Sequence, residues 1–512
     1  MDDDDDDDIK MIDGGNLDDD DDDTALDKKF VADLIEKAWK IVDDIVFAND
    51  YVVPCFPISY KLTKLIPLRF HANLTELMEC VAENATSLSN AEIIILLEWG
   101  ETYTMNVSSL FEGAEALLHP PVSETLRPLI TAYCDRSRDL MAQWSNNILK
   151  RENETAPQQI GKKWYSPGGV DLFAIVGSQI SAVLRNEDII GTIKASLLGP
   201  LIAETGGVLK TFAEKQREYA MNLSVERGPM CLEKLVACAN NQLRSYKENV
   251  ELAEQAAELM FTYLDLDESA NAFLETGTAA VSGIVDVMFV DIDSELNRLF
   301  GQCTSEEECK EVCGTIVATF EDYYGDLKSW LEKSMWKQLI MIAFEKFVIQ
   351  FVAIFLCSKL SIEAVQLFEV INEIVDDITM ALSVPDVDQG KIAESVKPLN
   401  SFLLVATAPA EYISIEFEKL LHQEGPIELK IIESLCDGPR RQDMEPAQSQ
   451  EIVSECKEIY SSYVDKMRDQ NLETEFAEDT IWGRIHSSIQ RKGGWGKLRR
   501  RKTTLVKNTN QK

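Results

Sequence analysis

The sequence predicts an all-α fold, an elongated rod of stacked helical bundles, and three observations support this prediction. Apolar residues recur at spacings of three and four along most of the chain, which places them on one face of an α-helix. Strand-like alternation bounded by hairpin turns is not evident anywhere. Proline and glycine clusters divide the pattern into more helices than one four-helix bundle holds. Because each amphipathic helix must bury its apolar face, we expect successive bundles stacked end to end.

Two segments carry the clearest helical pattern. From Lys28 onward the apolar positions are Val31, Leu34, Ile35, Ala38, Ile41, Val42 and Ile45. The same spacing runs through Leu327, Leu331, Met335, Leu339 and Ile342, and it indicates a helix there. The most apolar stretch, Phe347 to Cys357, has 11 residues. Since a membrane-spanning helix needs about 20 apolar residues, this stretch predicts a buried core helix.

Composition and helix-breaking residues divide the chain into six predicted segments. They are a disordered Asp-rich tail (1–27), helical bundles over 28–156, 157–300, 301–384 and 385–480, and a basic tail (481–512). The long apolar helix falls in the third bundle. The predicted joints are His119-Pro120-Pro121, Pro157 to Gly169, Glu226 to Pro229, Gly301 to Gly314, Val384 to Gly390 and Gly425-Pro426.

Charge is distributed very unevenly over the chain, whose net charge is -38. Residues 1–27 contain 15 Asp and one Lys, whereas residues 481–512 contain ten Lys or Arg and no acid. The segments between them remain acidic and repel phosphate, so we expect no nucleic-acid partner. The first residues lack the basic and then apolar pattern of a secretory signal, which predicts a cytoplasmic protein.

The sequence contains none of the familiar catalytic or metal-binding motifs. There is no GxSxG elbow, no GxGxxG fingerprint and no GxxxxGK[ST] loop. The histidines, which are far apart and which we expect at surface or capping positions, are His71, His119, His422 and His486. The tightest cysteine group, Cys303, Cys309 and Cys313, lacks CxxC spacing and nearby histidines. We therefore expect no enzyme activity, no cofactor and no metal.

One loop, from Trp164 to Phe173, combines aromatic residues with Pro167-Gly168-Gly169. These residues predict a tight turn, after which Asp171 caps or leads a helix that begins at Leu172. A buried joint between bundles is favoured over a partner-binding elbow, because turn chemistry alone explains the sequence.

The most distinct local functional signal is a cluster of basic residues near the C-terminus. The candidate contact residues are Arg491, Lys492, Trp495, Lys497, Arg499, Arg500, Arg501 and Lys502. Cations beside an interfacial tryptophan are typical of a segment that contacts an anionic membrane. An intramolecular contact with the Asp-rich start is an open alternative, as is an idle solubilising tail, and nuclear targeting or RNA contact ranks last.

Several helical segments, in their order and spacing, resemble the Sec-six (exocyst complex component three) family. They are Asn90 to Tyr103 with its tryptophan, Leu232 to Tyr246 with an Ala-x-x-Asn pattern, and Thr319 to Asp326, which leads into the apolar helix ending at Cys357. Tyr133 followed by Trp144, in a helix ending at Asn146-Asn147, fits the same pattern. The resemblance extends from about Lys28 to about Thr480.

This resemblance implies a rod of helical bundles that acts by binding. Its implied partners are other exocyst subunits and SNARE proteins, and its implied task is to dock secretory vesicles at the plasma membrane during exocytosis. We therefore expect a cytoplasmic protein that is peripheral at sites of secretion.

The ends of the chain differ from the family pattern. Family members usually begin with a longer coiled-coil segment, and an Asp-rich stretch stands in its place here. The alternative function is a stand-alone membrane-binding or membrane-remodelling protein, built on the same helical domain and acting outside the exocyst. Binding to anionic vesicles without any exocyst partner would favour this alternative.

Overall fold

A computed structural model describes residues 24–109, 118–185, 189, 191–258, 266–357, 372–373, 375–380, 387–436, 444–469 and 480–492. Within these ranges the chain forms sixteen α-helices and one short β-hairpin, which confirms the predicted all-α class. Residues 1–23 of the predicted disordered tail lie outside the described residues. The prediction was wrong for residues 24–27, because α1 begins at Thr24.

The helices vary from one turn to ten turns in length. The first eight are α1 Thr24–Phe47, α2 Leu62–Glu83, α3 Asn90–Ser108, α4 Val122–Thr125, α5 Pro128–Glu154, α6 Gly168–Leu184, α7 Gly191–Glu226 and α8 Cys231–Glu258. The other eight are α9 Asp267–Gly301, α10 Glu306–Trp330, α11 Lys333–Cys357, α12 Gln389–Thr407, α13 Ile413–Glu424, α14 Lys430–Cys436, α15 Pro446–Asp469 and α16 Ile481–Arg491. Strands β1 Gln158–Ile160 and β2 Lys163–Tyr165 pair antiparallel between α5 and α6.

The chain divides into two compact units. Unit 1 comprises residues 1–147, 172–209 and 251–266, and unit 2 comprises residues 148–171, 210–250 and 267–512. The six predicted segment boundaries stay a prediction.

Unit 1 contains α1 to α4, in which α1 and α4 each contact both α2 and α3. Val31, Ala38 and Ile45 are buried on α1, as the pattern from Lys28 onward predicts. Helix α3 begins with a capping box: the Ser89 side chain accepts from the Glu92 amide, and the Glu92 carboxylate accepts from the Ser89 amide. Because two backbone donors gain partners, the start of α3 is fixed.

Unit 2 has the larger apolar core, in which α9 and α11 pack on each other. Phe300 of α9 lies edge-on to Phe351 and Phe355 of α11, with ring centroids 5.0 and 5.4 Å apart. Both helices are long and apolar enough to cross a membrane, yet 56% and 72% of their most apolar windows are buried inside the protein. The run Phe347 to Cys357 lies in α11 and is almost entirely buried, so the core-helix prediction is confirmed.

Three local predictions were wrong. The pattern through Leu327 and Leu331 indicated a helix continuing into Met335, but α10 ends at Trp330 and α11 begins at Lys333. Helix α5 continues past Asn146-Asn147 to Glu154, since asparagine disfavours a helix only weakly and no glycine or proline follows before that residue. The unpredicted hairpin turns at Gly161, whose φ of +62° suits glycine.

Candidate functional site

The start of the basic C-terminal segment is held by α16, which packs on α11 in unit 2. Trp482, Ile485 and Ile489 are buried on the inner face of α16. Arg484 pairs with Glu345 of α11, and the Ser488 hydroxyl donates to the Gln350 side-chain oxygen at 3.4 Å. The described start of the basic segment is therefore held against α11 by apolar packing, an ion pair and a hydrogen bond.

Only two of the eight predicted contact residues are described. Arg491 is the last residue of α16, and Lys492 follows it with its Nζ 3.6 Å from Asp293 Oδ2. Burial raises the pKa of Asp293, and Lys492 and Lys346 oppose that rise. The other six, Trp495, Lys497, Arg499, Arg500, Arg501 and Lys502, lie outside the described residues. Their role as a contact site stays a prediction.

The loop from Trp164 to Phe173 is joined to the core of unit 2 by the side chain of Asn240. This fully buried carboxamide donates to the carbonyl oxygens of Trp164 and Trp330, at 2.9 and 2.8 Å. Its oxygen accepts from the amide of Glu332 at 2.8 Å. Asn240 thus hydrogen-bonds to the middle residue of β2, the last residue of α10 and the residue before α11, and it supplies partners for backbone groups at the break between the two helices.

A charged cluster lies beside this asparagine. The Tyr165 hydroxyl donates to Glu332 Oε1 at 2.6 Å, and Lys163 Nζ lies 2.8 Å from Glu332 Oε2. Burial disfavours the ionised form of Glu332, but the hydrogen bonds from Lys163 and Tyr165 outweigh it and hold its pKa below the usual value. The hairpin is therefore connected to the α10–α11 break by charged as well as neutral hydrogen bonds.

Glu152 of α5 occupies the other side of the loop and is buried. Its carboxylate accepts from the Ser166 hydroxyl, the Gln216 side-chain amide and the Gly168 backbone amide. Burial nevertheless raises the pKa of Glu152, because desolvation of the charged form exceeds these favourable contacts. A Cβ on Gly168 would overlap the Glu152 carboxylate, so any larger residue there would force that side chain or α6 to move.

These contacts support the buried joint, within unit 2, over an elbow held open for a partner. We call Trp164, Ser166, Gly168, Asn240 and Glu332 with their contacts the asparagine joint. The predicted helix start at Leu172 was wrong, because α6 begins at Gly168 with Pro167-Gly168-Gly169 at its start. Asp171 lies in its first turn and pairs with Arg151.

One histidine departs from the expected surface or capping position. His71 is 4% exposed in unit 1, with its Nε2 2.9 Å from the Pro120 carbonyl oxygen. Burial lowers the pKa of His71, and the Pro120 contact partly opposes that shift. His119 and His422 are exposed and His486 is half-buried. Among the described residues, no group of three or more His, Cys, Asp or Glu is placed to hold a metal ion.

A surface that the sequence interpretation missed connects α1 to α2 in unit 1. Residues 46–69, here called the α1–α2 tip, contain nine of the 24 exposed large apolar side chains found in the described ranges. Those nine are Val46, Phe47, Tyr51, Val52, Phe56, Ile58, Tyr60, Leu65 and Leu68. A π-turn and two short 3₁₀ turns form the connection, and α1 and α2 contact each other beneath it. Two prolines, Pro54 and Pro57, were the available signal for an irregular segment here.

Comparison with known proteins identifies relatives of this architecture. The family model described as Exocyst complex component Sec6 matches residues 15–445. The fold is similar to the crystal structure of the C-terminal domain of the exocyst subunit Sec6p, with a TM-score of 0.58 and 15% identity over 71% of this chain and 97% of that one. It is also similar to the crystal structure of M-Sec, with a TM-score of 0.51 and 14% identity over 82% of this chain and 72% of that one. At such identities the two structural likenesses show the fold alone.

Proposed function

This chain belongs to the Exocyst complex component Sec6 family, and we propose that it acts in exocytosis as a vesicle-tethering subunit that works by binding. Its proposed partners are other exocyst subunits and SNARE proteins, and its proposed place is the cytoplasmic side of the plasma membrane at sites of secretion. The family match over most of the chain is the observation that carries the proposal. The helical fold supports it, because paired helices offer long side-chain surfaces on which other helices pack.

Affinity purification tests the subunit role. The chain is given an N-terminal tag at its natural locus, which leaves the basic C-terminal residues free, and co-purifying proteins are quantified by mass spectrometry. We expect several other exocyst subunits in amounts comparable to the chain itself. An equally abundant tagged cytoplasmic protein serves as control, and exocyst subunits at its background level would contradict the proposal.

SNARE binding is tested separately with purified components. The soluble helical domains of individual SNARE proteins are immobilised one at a time and mixed with the purified chain. We expect saturable binding to at least one of them. Binding that is no greater than to an unrelated coiled coil of similar charge would remove SNARE contact from the proposal and leave exocyst membership intact.

The basic C-terminal residues are the proposed anionic membrane or partner contact. They comprise Arg491, Lys492, Trp495, Lys497, Arg499, Arg500, Arg501 and Lys502. Each basic residue near an anionic membrane contributes about 1 kcal/mol, so the seven cations together suffice for reversible binding. Flotation with anionic vesicles tests this contact, because replacing Lys497, Arg499, Arg500, Arg501 and Lys502 by Gln should weaken it. Undiminished flotation of that variant would contradict the contact.

The alternative is a membrane-binding protein that acts outside the exocyst, and the same basic segment supports it. The two functions differ in one result. A stand-alone protein would bind vesicles and recover no exocyst subunits, whereas a tethering subunit recovers them whether or not it binds lipid by itself.

A further inference from the structure

We propose that the α1–α2 tip is a second lipid-contact site, at which exposed apolar side chains insert into an anionic bilayer surface. The proposal rests on the proposed docking role only for its location at the plasma membrane. The site itself is inferred from the exposure, charge and position of residues 46–69, and it is distinct from the basic C-terminal segment.

The first argument is exposure. Ile58 is 95% exposed, Tyr51 67%, and Phe47 and Tyr60 59% each, although burying such side chains is the main driving force of folding. Aromatic contacts within the tip join Phe47 to Tyr51 and Phe56 to Tyr60, with ring centroids 4.9 and 6.3 Å apart. These pairs hold their rings together while 48–67% of the surface of each residue stays in water. A concentration of exposed apolar surface of this kind marks an interaction site.

The second argument is charge, which selects the partner. Acids outnumber bases by 88 to 50 in the whole chain, yet the tip, residues 46–69, contains one acid, Asp50, and three bases. Lys61, Lys64 and Arg69 are all exposed, and none of them forms an ion pair with a residue that the structure describes. Cations that border an apolar surface match the phosphate and carboxylate groups of anionic lipids.

The third argument is shape. The tip closes one end of the α1–α2 pair. Ile58 lies in a turn between Pro57 and Lys61. Lys61 has a left-handed φ of +50° and immediately precedes α2. A protruding turn can insert into the surface of a lipid bilayer. Its apolar side chains then enter the boundary between headgroups and acyl chains, and its tyrosines lie at the headgroups. Leu65 and Leu68 extend the apolar surface along the first turns of α2, one and two turns after Lys61.

Vesicle flotation with the purified full chain tests the site. The C-terminal contact is first removed by replacing Lys497, Arg499, Arg500, Arg501 and Lys502 with Gln. This background is mixed with vesicles of phosphatidylcholine alone or with added phosphatidylserine. We expect flotation with the anionic vesicles only, and a loss of about tenfold or more in binding for both F56S/I58S and the triple variant K61Q/K64Q/R69Q.

Matched controls come from exposed residues elsewhere. Val225 on α7 is 79% exposed, so V225S removes a largely exposed aliphatic side chain outside the tip. Lys150, Lys162 and Lys391 are exposed, and K150Q/K162Q/K391Q removes the same charge as the tip variant. We expect both controls to float like the background protein. Tip variants that float equally well, or a background protein that stays with the soluble fraction, would overturn the proposal.

Two exposed cysteines allow the insertion itself to be observed. Cys55 lies in the tip, and Cys80 lies on α2 about 27 Å from the start of that helix. An environment-sensitive fluorophore on Cys55 in a C80S variant should shift to the blue on vesicle binding, whereas one on Cys80 in a C55S variant should not. Equal shifts at both positions, or none at Cys55, would contradict insertion by the tip.

A second copy of the chain and a protein partner are the competing occupants. Light scattering that shows a dimer of the background protein, dissociated by I58S, would assign the tip to self-association and overturn the proposal. Loss of exocyst subunits from purified F56S/I58S, with flotation unchanged, would assign it to a protein partner and also overturn the proposal. If flotation fails while exocyst subunits still co-purify, the lipid site is wrong and the subunit role stands.

Discussion

The segment from Trp164 to Phe173 and the α1–α2 tip are both aromatic, both contain proline and both connect helices. The part of the first that lies in unit 2, residues 164–171, is held by the buried side chains of Asn240 and Glu152, whose hydrogen bonds reach its backbone and its serine. In unit 1 the second carries no comparable buried polar partner among the described residues, and its aromatic side chains face solvent. The difference shows that composition alone does not decide whether a connection is structural or available for binding. The hydrogen-bond partners that the rest of the chain supplies decide it.

Removing the asparagine joint should cause the largest loss of stability. N240A leaves the carbonyl oxygens of Trp164 and Trp330 and the amide of Glu332 without their buried partner. We expect a loss of about 4 kcal/mol in the free energy of unfolding, measured by urea denaturation, because each unsatisfied buried group costs about 1–3 kcal/mol. Asn271 is exposed on α9, so N271A should change stability by about 0.5 kcal/mol or less. A loss in the free energy of unfolding that is equally small for N240A and N271A would show that the Asn240 hydrogen bonds do not stabilise the asparagine joint.

A methyl group at Gly168 should cause the next largest effect. G168A places a Cβ where Glu152 Oε1 now lies, so the carboxylate must leave Ser166 and Gln216 or α6 must shift. We expect a loss of about 2 kcal/mol by urea denaturation. Gly177 on α6 has open space around its Cβ position, and G177A should instead stabilise by about 0.5–1 kcal/mol. A change in the free energy of unfolding that has the same sign for G168A and G177A would contradict the close approach of Gly168 to Glu152.

The raised pKa of Glu152 predicts a pH dependence of smaller size. The folded state holds its proton more tightly than the unfolded state, so stability falls as pH rises from the ordinary value of 4.5 through the raised one. Glu152→Gln should abolish that fall, and urea denaturation between pH 4 and pH 7 measures it. Glu154 lies two residues along α5 and is exposed, so E154Q should retain the slope. An unchanged slope in E152Q would show that another group is responsible.

Changes in the α1–α2 tip should have the smallest effect on stability. F56S/I58S removes Ile58, which is almost fully in water, and Phe56, which is half exposed, so the free energy of unfolding should change by about 1 kcal/mol or less. Thermal unfolding followed by circular dichroism measures it. A loss of 2 kcal/mol or more would mean that these side chains belong to a core, and the comparison between the two segments would fail.

Much of the fold was predictable because it depends on local spacing. The apolar faces of α1 and α11, and helix ends at Glu226 and Glu424, follow from residues within a few turns of each other. The asparagine joint was not predictable, because Asn240 is 76, 90 and 92 residues from its three partners. The same distant contacts interrupt the apolar pattern that runs on from Leu327 to Leu331.

The α1–α2 tip shows the converse limit of sequence interpretation. Its apolar residues have the composition of a core, and spacing cannot reveal that they stay exposed among the residues that the structure describes. The basic C-terminal residues were predicted from their charge and a neighbouring tryptophan, and the structure describes only Arg491 and Lys492 of that set. Surface contacts depend on what the folded chain leaves uncovered, and local pattern carries no information about that.

The size of the assembly that contains this chain tests the tethering role most directly. Extracts of cells that express the tagged chain are separated by gel filtration, and the fractions are analysed by quantitative mass spectrometry. A tethering subunit should elute together with the other exocyst subunits, far ahead of a globular protein of 57.6 kDa. Elution at the size of the free chain, with the exocyst subunits in separate fractions, would contradict membership of the complex.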